Sequence, residues 1–276
     1  MKRNLAIFLM GMTIATMVLG GCKDKENISK KDGKESESVE DKKTFTVGFD
    51  AEYPPYGYMD ENGEYTGFDL ELAEAVCELE GWELVKKPIN WDSKDMELNS
   101  GAIDCIWNGF TMNGREEEYT FSTPYVDNSQ VIVVAEKSGM KTLEDLQGKS
   151  VGVQAASAAL DLLQSEEEGG QKALADTFSA LNEFADYNTA FTELQAGALD
   201  ALAIDVGVAN YQIKSRGEGY QILEETLNTE QYAIGFKKGN QELCDVVNAD
   251  LKKLTEDRSE ERRVGKECRS RWSPYH

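Results

Sequence analysis

The chain has 276 residues, of which 40% are hydrophobic, enough for one large domain or two medium-sized lobes. Its formal net charge is −22, which argues against a nucleic-acid partner because phosphate binding requires a basic face. The single histidine, His276, leaves little basis for Ser-His or Cys-His catalysis or for the common zinc sites. We therefore expect no catalytic residues, no metal ligands and no cofactor.

The amino terminus has the pattern of a bacterial lipoprotein signal. A basic start precedes an apolar stretch, residues 5–19, that is short for a membrane span, so it predicts a signal peptide over residues 1–21. The stretch ends in Leu-Gly-Gly-Cys, which resembles a lipobox with Cys22 as the lipidated thiol. The alternative is an ordinary signal peptide followed by an accidental cysteine.

Residues 22–43 are rich in Lys, Asp, Glu and Ser and contain almost nothing apolar. Such a segment cannot offset its ordering entropy, so we expect a flexible tether that reaches roughly 25 Å as a coil. A lipid and a tether together predict an extracytoplasmic protein anchored to the outer face of the cell membrane.

The first half of the body alternates strand and helix patterns. The expected elements are a strand at 44–49, a turn at 60–63, a helix from Phe68 with Asp69 as its N-cap, a strand at 83–86, a helix at 94–99 closed by Gly101, and a buried strand at 103–107. This order indicates a mostly parallel sheet.

The second half repeats the scheme. The expected elements are a loop and helix start at 137–146, a strand at 150–153, a helix at 157–163, a helix at 191–195 stopped by Gly197, and a buried strand at 201–204. Residues 100–104 and 196–200 share the order helix end, glycine, aspartate and apolar strand. We therefore predict an α/β fold of two related lobes, each with a mostly parallel sheet.

The carboxyl terminus is basic in an otherwise acidic chain. Residues 258–276 resemble the in-frame translation of a sequencing adapter, so we predict an artefactual tail; the alternative is a natural basic tail. The tail has no apolar stripe and contains Pro274, so we expect it to be disordered or poorly packed. Three cysteines remain once Cys22 and the tail are set aside, namely Cys77, Cys105 and Cys244, which we expect to be buried thiols, with an occasional disulfide as the alternative.

Ligands of open parallel α/β sheets bind beyond the carboxyl ends of the strands. The predicted strand ends deliver Asp50, Glu52, Tyr53, Asn108, Gly109, Phe110, Thr111, Gln154, Ala156, Ser157, Ala158 and Asp205. This set suits a zwitterion, with Arg115 and the amides of a helix start for a carboxylate and Asp205 for an ammonium. The alternatives are a strand-end cap for Asp205 and an ion pair with Glu116–Glu118 for Arg115.

Residues 44–257 resemble the substrate-binding proteins of polar amino-acid ABC transporters. The matching motifs are Tyr-Pro-Pro-Tyr at 53–56, Gly-Phe-Asp-Leu-Glu-Leu-Ala at 67–73, Gly-Ala-Ile-Asp at 101–104, Gly-Phe-Thr-Met at 109–112, Phe-Ser-Thr-Pro-Tyr at 121–125, Val-Gly-Val at 151–153, and Asp205. The resemblance implies a two-lobed periplasmic-binding-protein-like fold, with lobe I at 44–133 plus 233–257, lobe II at 134–232, and hinges near 133–134 and 232–233.

The resemblance also implies roles for residues. Tyr53 would pack over the ligand, Gly109 and Thr111 would offer backbone and hydroxyl partners, Arg115 and the Ala158 amide would hold the α-carboxylate, and Asp205 would hold the α-ammonium. Asp50 would meet the ligand's side-chain end, Phe110 would be a wall, and Trp91 would be either a wall or core. Two departures are a tighter turn at Asn113–Gly114 and Ala-Ser-Ala at 156–158, which removes a hydroxyl contact.

The expected function is capture of a polar amino acid and its delivery to the permease of an ABC importer. The alternative is a dehydratase-like enzyme of aromatic amino-acid metabolism, because such enzymes resemble this fold and Asp50, Glu52 or Asp205 would then serve as a general acid. A sensor domain is a third option, although no output module follows in the sequence.

Overall fold

Residues 44–263 form two lobes in the computed structural model, which describes the backbone of these residues and the side chains of residues 44–256. The signal peptide, Cys22 and the tether lie outside the described residues. Among the helices that are described, none combines the length and the apolar character needed to cross a bilayer.

The strands, in chain order, are β1 (Thr44–Phe49), β2 (Glu52–Tyr53), β3 (Gly57–Met59), β4 (Tyr65–Thr66), β5 (Glu83–Pro88), β6 (Cys105–Ile106), β7 (Tyr119–Phe121), β8 (Val126–Ala135), β9 (Ser150–Gln154), β10 (Ala180–Phe184), β11 (Ala201–Asp205), β12 (Tyr220–Ile222), β13 (Asn228–Tyr232) and β14 (Gly235–Lys237). The helices are α1 (Phe68–Glu80), α2 (Lys94–Ser100), α3 (Ala158–Gln164), α4 (Lys172–Ala175), α5 (Tyr187–Ala196), α6 (Val206–Arg216) and α7 (Gln241–Arg263). Short 3₁₀ turns at Glu136–Ser138 and Leu143–Leu146 occupy the expected loop and helix start.

The sheet of lobe I has the strand order β5-β1-β6-β14-β7, and β2, β3 and β4 form a small separate sheet. Strand β1 is parallel to β5 and β6, whereas β14 is antiparallel to β6 and β7, so the sheet is mixed rather than mostly parallel. Helix α1 packs Leu70, Ala73 and Val76 into the same apolar core as the inner face of β1 and α7. It ends at Gly81 in the left-handed conformation that glycine adopts without strain.

The sheet of lobe II has the strand order β10-β9-β11-β8-β12, with β13 also paired to β8. Strands β9, β10 and β11 are parallel, and β8 is antiparallel to each of its neighbours. One face packs against α5 and α6, and the other against α3. Because both faces are covered there, residues 131–135 of β8 and residues 201–204 of β11 are continuous apolar runs.

The first lobe crossing lies earlier than predicted. Val133 and Val134 pair with β11 in the middle of the lobe II sheet, so they cannot be a hinge. The chain leaves the lobe I sheet at the end of β7 and enters the lobe II sheet at Val126, which places the crossing at 122–125. The return crossing is at 233–234, between β13 and β14.

The two crossings are hydrogen-bonded to each other. The Ser122 amide donates to the Ile234 carbonyl at 3.0 Å, and the Ile234 amide donates to Ser122 Oγ at 2.9 Å. The Tyr125 amide donates to the Tyr232 carbonyl at 3.0 Å. The crossing segments therefore form a short paired ribbon between the lobes.

Asp69 is not the N-cap of α1, as the sequence suggested. Gly67 occupies the cap position, and the fully buried Asp69 accepts hydrogen bonds from the Gly109 amide and, at 2.9 Å, from Tyr125 Oη. Burial raises the pKa of Asp69 to about 7. The carboxylate therefore ties α1 to the loop that follows β6, which is a tertiary role that helix-cap statistics do not register.

Helix α7 continues to Arg263 and so enters the predicted tail. We expected this segment to be disordered or poorly packed; the backbone of residues 258–263 is helical, and the packing of its side chains lies outside what the structure describes. Glu and Arg have good helix propensity, and extending an existing helix costs less than starting one. Residues 264–276, including Pro274, lie outside the described residues. Cys77, Cys105 and Cys244 are buried thiols.

Candidate functional site

Eight of the eleven residues predicted to bind a ligand line one narrow cavity between the lobes. The cavity is lined by Tyr53, Trp91, Gly109, Thr111, Arg115, Gln154, Ser157, Ala158 and Asp205. These residues follow β1, β5, β6 or β9, or lie at the last residue of β9 and of β11, as the rule for strand carboxyl ends requires. The structure therefore brings together side chains that lie more than 150 positions apart in the sequence.

Arg115 brings a buried positive charge to this cavity. Its Nη2 donates to Asp161 Oδ2 of α3 at 2.7 Å, and its guanidinium lies 5.1 Å from the centre of the Phe110 ring. The side chain of Asp161 is 62% exposed, so this ion pair is a weak partner for the guanidinium. No ion pair joins Arg115 to Glu116–Glu118 among the described contacts, which disfavours that alternative.

Asp205 forms the opposite charge of the cavity and is almost fully buried. Its Oδ1 accepts hydrogen bonds from Tyr232 Oη at 2.6 Å, Gln130 Nε2 at 2.7 Å and Asn128 Nδ2 at 2.8 Å. Asp205 occupies the N-cap position of α6, but its side chain makes no cap bond. The cap alternative therefore does not account for its carboxylate.

Glu230 is a buried carboxylate beside Asp205 that the sequence analysis missed. The same two amides, Asn128 Nδ2 and Gln130 Nε2, donate to Glu230 Oε1 at 2.7 and 2.8 Å. Burial, and then the negative charge of Asp205, raises the pKa of Glu230 to about 7. The available signal was the polar run 127–130 at the start of β8, since alternate residues of a strand, here Asn128 and Gln130, point to one face.

The Thr111 hydroxyl, which was predicted to contact the ligand, is hydrogen-bonded to another residue of the protein. Its Oγ1 donates to Glu230 Oε1 at 2.8 Å, which links the loop after β6 to β13. A hydroxyl that donates here can still accept a bond from a ligand donor. Thr111 therefore lines the cavity, as predicted, but it also belongs to the carboxylate network around Asp205.

Gly109 allows two aromatic rings to close over the backbone of the cavity. It has φ +57°, and a Cβ at this position would lie 3.0 Å from ring atoms of both Tyr53 and Tyr232. The hydroxyls of these two tyrosines lie 3.4 Å apart. Any larger residue would both strain the backbone and displace the ring of Tyr53 from the cavity.

The side chain of Ser157 caps the N-terminus of α3. Its Oγ accepts a hydrogen bond from the Leu160 amide at 3.2 Å and donates to the Gln154 carbonyl at 2.7 Å. Ser157 is therefore the N-cap, and the helix begins at Ala158. The preceding residue, Ala156, has φ +54°, an uncommon conformation for a residue with a side chain.

Asp50 lines a second, more open cavity that adjoins the first. This outer cavity is lined by Asp50, Ala51, Glu52, Pro88, Ile89, Asn90, Trp91, Asp92, Glu97, Ala155, Ala185 and Asp186. Asp50 Oδ2 accepts a hydrogen bond from Gln154 Nε2 of the other lobe at 2.7 Å. Burial raises the pKa of Asp50 to about 6, although hydrogen bonds from the Glu52 amide and Gln154 act in the opposite direction.

Two of the predicted ligand contacts, Asn108 and Phe110, are not in the lining of the narrow cavity. Phe110 is fully buried and packs edge-on against Tyr119 and Trp91, with ring centres 5.1 and 5.7 Å apart. Asn108 is also buried, and its side-chain oxygen accepts a hydrogen bond from the Asp50 amide. Phe110 belongs to an apolar cluster of lobe I with Leu98 and Ile106. Trp91 lines both cavities and so is a wall.

Comparison with known proteins places the chain in a family. A sequence model described as bacterial extracellular solute-binding proteins, family 3, matches residues 45–266. The L-cystine-binding protein TcyJ of Escherichia coli (strain K12) is 28% identical over 79% of this chain and 80% of its own length. The arginine-binding extracellular protein ArtP of Bacillus subtilis (strain 168) is 30% identical over 80% and 85%.

The fold comparison agrees. The crystal structure of an ABC uptake transporter substrate-binding protein from Streptococcus pneumoniae with bound histidine superposes with a TM-score of 0.73. The two chains are 34% identical, and the match covers 78% of this chain and 87% of the other. The chain therefore belongs to the bacterial extracellular solute-binding proteins of family 3.

Proposed function

We propose that this protein captures a polar amino acid between its two lobes and delivers it to the permease of an ABC importer. The observation that carries the proposal is the pairing of Arg115 and Asp205 in one cavity. A buried cation and a buried anion that face the same small space suit the two charges of an amino acid. The names of the relatives, which specify binding of cystine and arginine, support the same class of ligand.

The α-carboxylate would lie against Arg115 and the backbone amide of Ala158, and the α-ammonium against Asp205. A protonated amine is the natural third partner for a carboxylate that already accepts three neutral hydrogen bonds. Tyr53 and Trp91 would cover the ligand, since both line the cavity. Closing the cavity around these groups excludes water and strengthens each charged contact.

The side-chain end of the ligand would extend toward the outer cavity. Asp50 and Asp186 give that cavity a negative charge, which favours a cationic or amide group. The pKa of Asp50, about 6, means that its carboxylate is mostly ionised at neutral pH. The dehydratase alternative is not favoured, because the matched relatives are solute-binding proteins.

We further propose that Cys22 carries a lipid and that residues 22–43 tether the two lobes near the outer face of the membrane. The extracytoplasmic family supports the location, and the lipobox-like sequence supports the anchor. Metabolic labelling of the expressed chain with a fatty acid, compared with Cys22→Ala, tests this point. Equal labelling of both proteins would contradict it.

The binding proposal is tested by a thermal-shift screen of the twenty amino acids and L-cystine. A ligand at 100 times its dissociation constant should stabilise the protein by about 2.7 kcal/mol. Arg115→Ala and Asp205→Ala should each make the binding free energy of the best ligand less favourable by about 2–5 kcal/mol, because each leaves a buried charge of the ligand unpaired. Lys252→Ala, an exposed control on α7, should bind as the wild type does. If no amino acid raises the melting midpoint, the proposal is wrong.

A further inference from the structure

Lys94, the first residue of α2, buries a positive charge next to residues that line the two cavities, although it is in the lining of neither. Its side chain is 6% exposed. Its ammonium donates to the Ala156 carbonyl of the other lobe at 3.3 Å and lies 5.3 Å from the centre of the Trp91 ring. The nearest carboxylate described is Asp95 Oδ2, at 4.0 Å.

These contacts do not satisfy a buried ammonium. It has three N–H donors, and the structure gives it one neutral acceptor at long range and one carboxylate that is half exposed. Burial, and then the positive charge of Arg115, lowers the pKa of Lys94, while Asp95, Asp161 and Asp92 act in the opposite direction. A buried cation next to a second cation favours a closer and less exposed anion than Asp95, which is 4.0 Å away and half exposed.

The neighbours of Lys94 suggest that a ligand group supplies this anion, because they line the two cavities. Ala156 lies between Ala155, which lines the outer cavity, and Ser157, which lines the inner one. Trp91, whose ring Lys94 faces, lines both cavities. The ammonium is therefore next to the passage through which a ligand would extend from the inner cavity to the outer one.

The charges along this passage select among ligand classes. An amino acid with a neutral side chain pairs Arg115 and Asp205 but leaves Asp50 without a charged partner and Lys94 with only the half-exposed Asp95. Arginine pairs Asp50 in addition and adds no anion for Lys94. A ligand with a second amino-acid head group pairs all four residues.

We propose that Lys94 binds a second carboxylate of the ligand, and that the ligand is a diaminodicarboxylic acid such as L-cystine. One head group lies between Arg115 and Asp205. The other places its carboxylate at Lys94 and its ammonium at Asp50. The inference rests on the proposed function, because it assigns a ligand class to the same cavity.

Isothermal titration of the purified protein tests the inference. The ligands are L-cystine and meso-diaminopimelate, with two head groups, and L-arginine, L-glutamine and L-glutamate, with one. The wild type should bind at least one two-headed ligand ten-fold or more tightly than any one-headed ligand. Lys94→Met should weaken two-headed ligands 10- to 100-fold and change L-arginine and L-glutamine less than three-fold.

Two variants and a melting experiment separate ligand contact from folding. Lys172→Met, which removes an ion pair with Asp176 remote from both cavities, should bind every ligand as the wild type does. Lys94→Met should melt without ligand at or above the wild-type midpoint, since it removes a buried charge. Lys94→Arg should retain more affinity for two-headed ligands than Lys94→Met does.

The outcomes distinguish the two proposals. If one-headed amino acids bind and two-headed ones bind no better, or if Lys94→Met weakens all ligands equally, the inference is overturned and the binding function stands. If no ligand of either type binds the folded wild type, the proposed function itself fails.

Discussion

Asp205 and Glu230 are two buried carboxylates held by the same pair of side-chain amides. Each amide nitrogen, Asn128 Nδ2 and Gln130 Nε2, lies within 2.8 Å of an oxygen of both acids. Two negative charges at this separation in a buried site repel each other, so one of them holds a proton more tightly than usual. Burial and the charge of Asp205 raise the pKa of Glu230 to about 7, so Glu230 is the acid expected to hold the proton at mildly acidic pH.

Glu230 should make the stability of the ligand-free protein depend on pH. Its folded pKa, about 7, is above the ordinary 4.5, so between these values the folded state binds the proton more tightly than the unfolded state. The free energy of unfolding should therefore fall as the pH rises from about 4.5 to 7. Glu230→Gln should remove this pH dependence. The stability of the variant relative to the wild type should therefore be greater at pH 8 than at pH 5, by about 1–3 kcal/mol.

Urea denaturation at the two pH values measures the difference. Glu224→Gln, an exposed glutamate of the same segment, should keep the wild-type pH profile. If Glu230→Gln also keeps that profile, the proton is not on Glu230.

The elements were predictable from the sequence where a local signal controls them. Glycines in the left-handed conformation end α1, α2 and α5, and the sequence located the ends of α2 and α5 from Gly101 and Gly197. The first crossing was not predictable in this way. Val131 to Val134 reads as a strand in either lobe, and only its pairing with β11 decides which one.

The same distinction applies to the site. Arg115 and Asp205 follow from their places after strands, whereas the role of Glu230 depends on a partner 100 positions away, Gln130. Lys94 is similar, because its burial results from closure against Ala156 of the other lobe. Sequence patterns report which residues share an element, and they do not report which elements meet.

Helix α3 provides a prediction at the scale of one element. Ser157→Ala should remove the N-cap bond to the Leu160 amide and lower the free energy of unfolding by about 1 kcal/mol. Without the cap bond the first turn of α3 should be less ordered, and the Ala158 amide should be less well oriented toward the cavity. Ligand affinity should therefore fall as well. Ser100→Ala, at the exposed end of α2, should change stability by less than half as much and leave affinity unaltered. Equal effects of the two substitutions would show that the cap does not organise the site.

At the scale of the whole molecule, side chains from the two lobes are joined directly across the cavities. Gln154 donates to Asp50 at 2.7 Å, Arg115 donates to Asp161 at 2.7 Å, and Asn188 donates to Glu52. These contacts describe a closed arrangement of the lobes. These groups are polar or charged, so each can form hydrogen bonds with water when the lobes separate. Closure without a ligand therefore gains little free energy.

The lobes should therefore open in solution and close on the ligand. The paired crossings at 122–125 and 233–234 are the only connections between the two sheets in the described part of the chain, which suits rotation about a hinge. Solution scattering should give a larger radius of gyration without ligand than with the amino acid selected by the thermal-shift screen. Asp205→Ala, which lacks the anion for the ammonium, should not compact at the ligand concentration that closes the wild type. A radius that stays the same when the wild type is saturated would mean that the lobes do not move as rigid bodies, and that the cross-lobe bonds persist without a ligand.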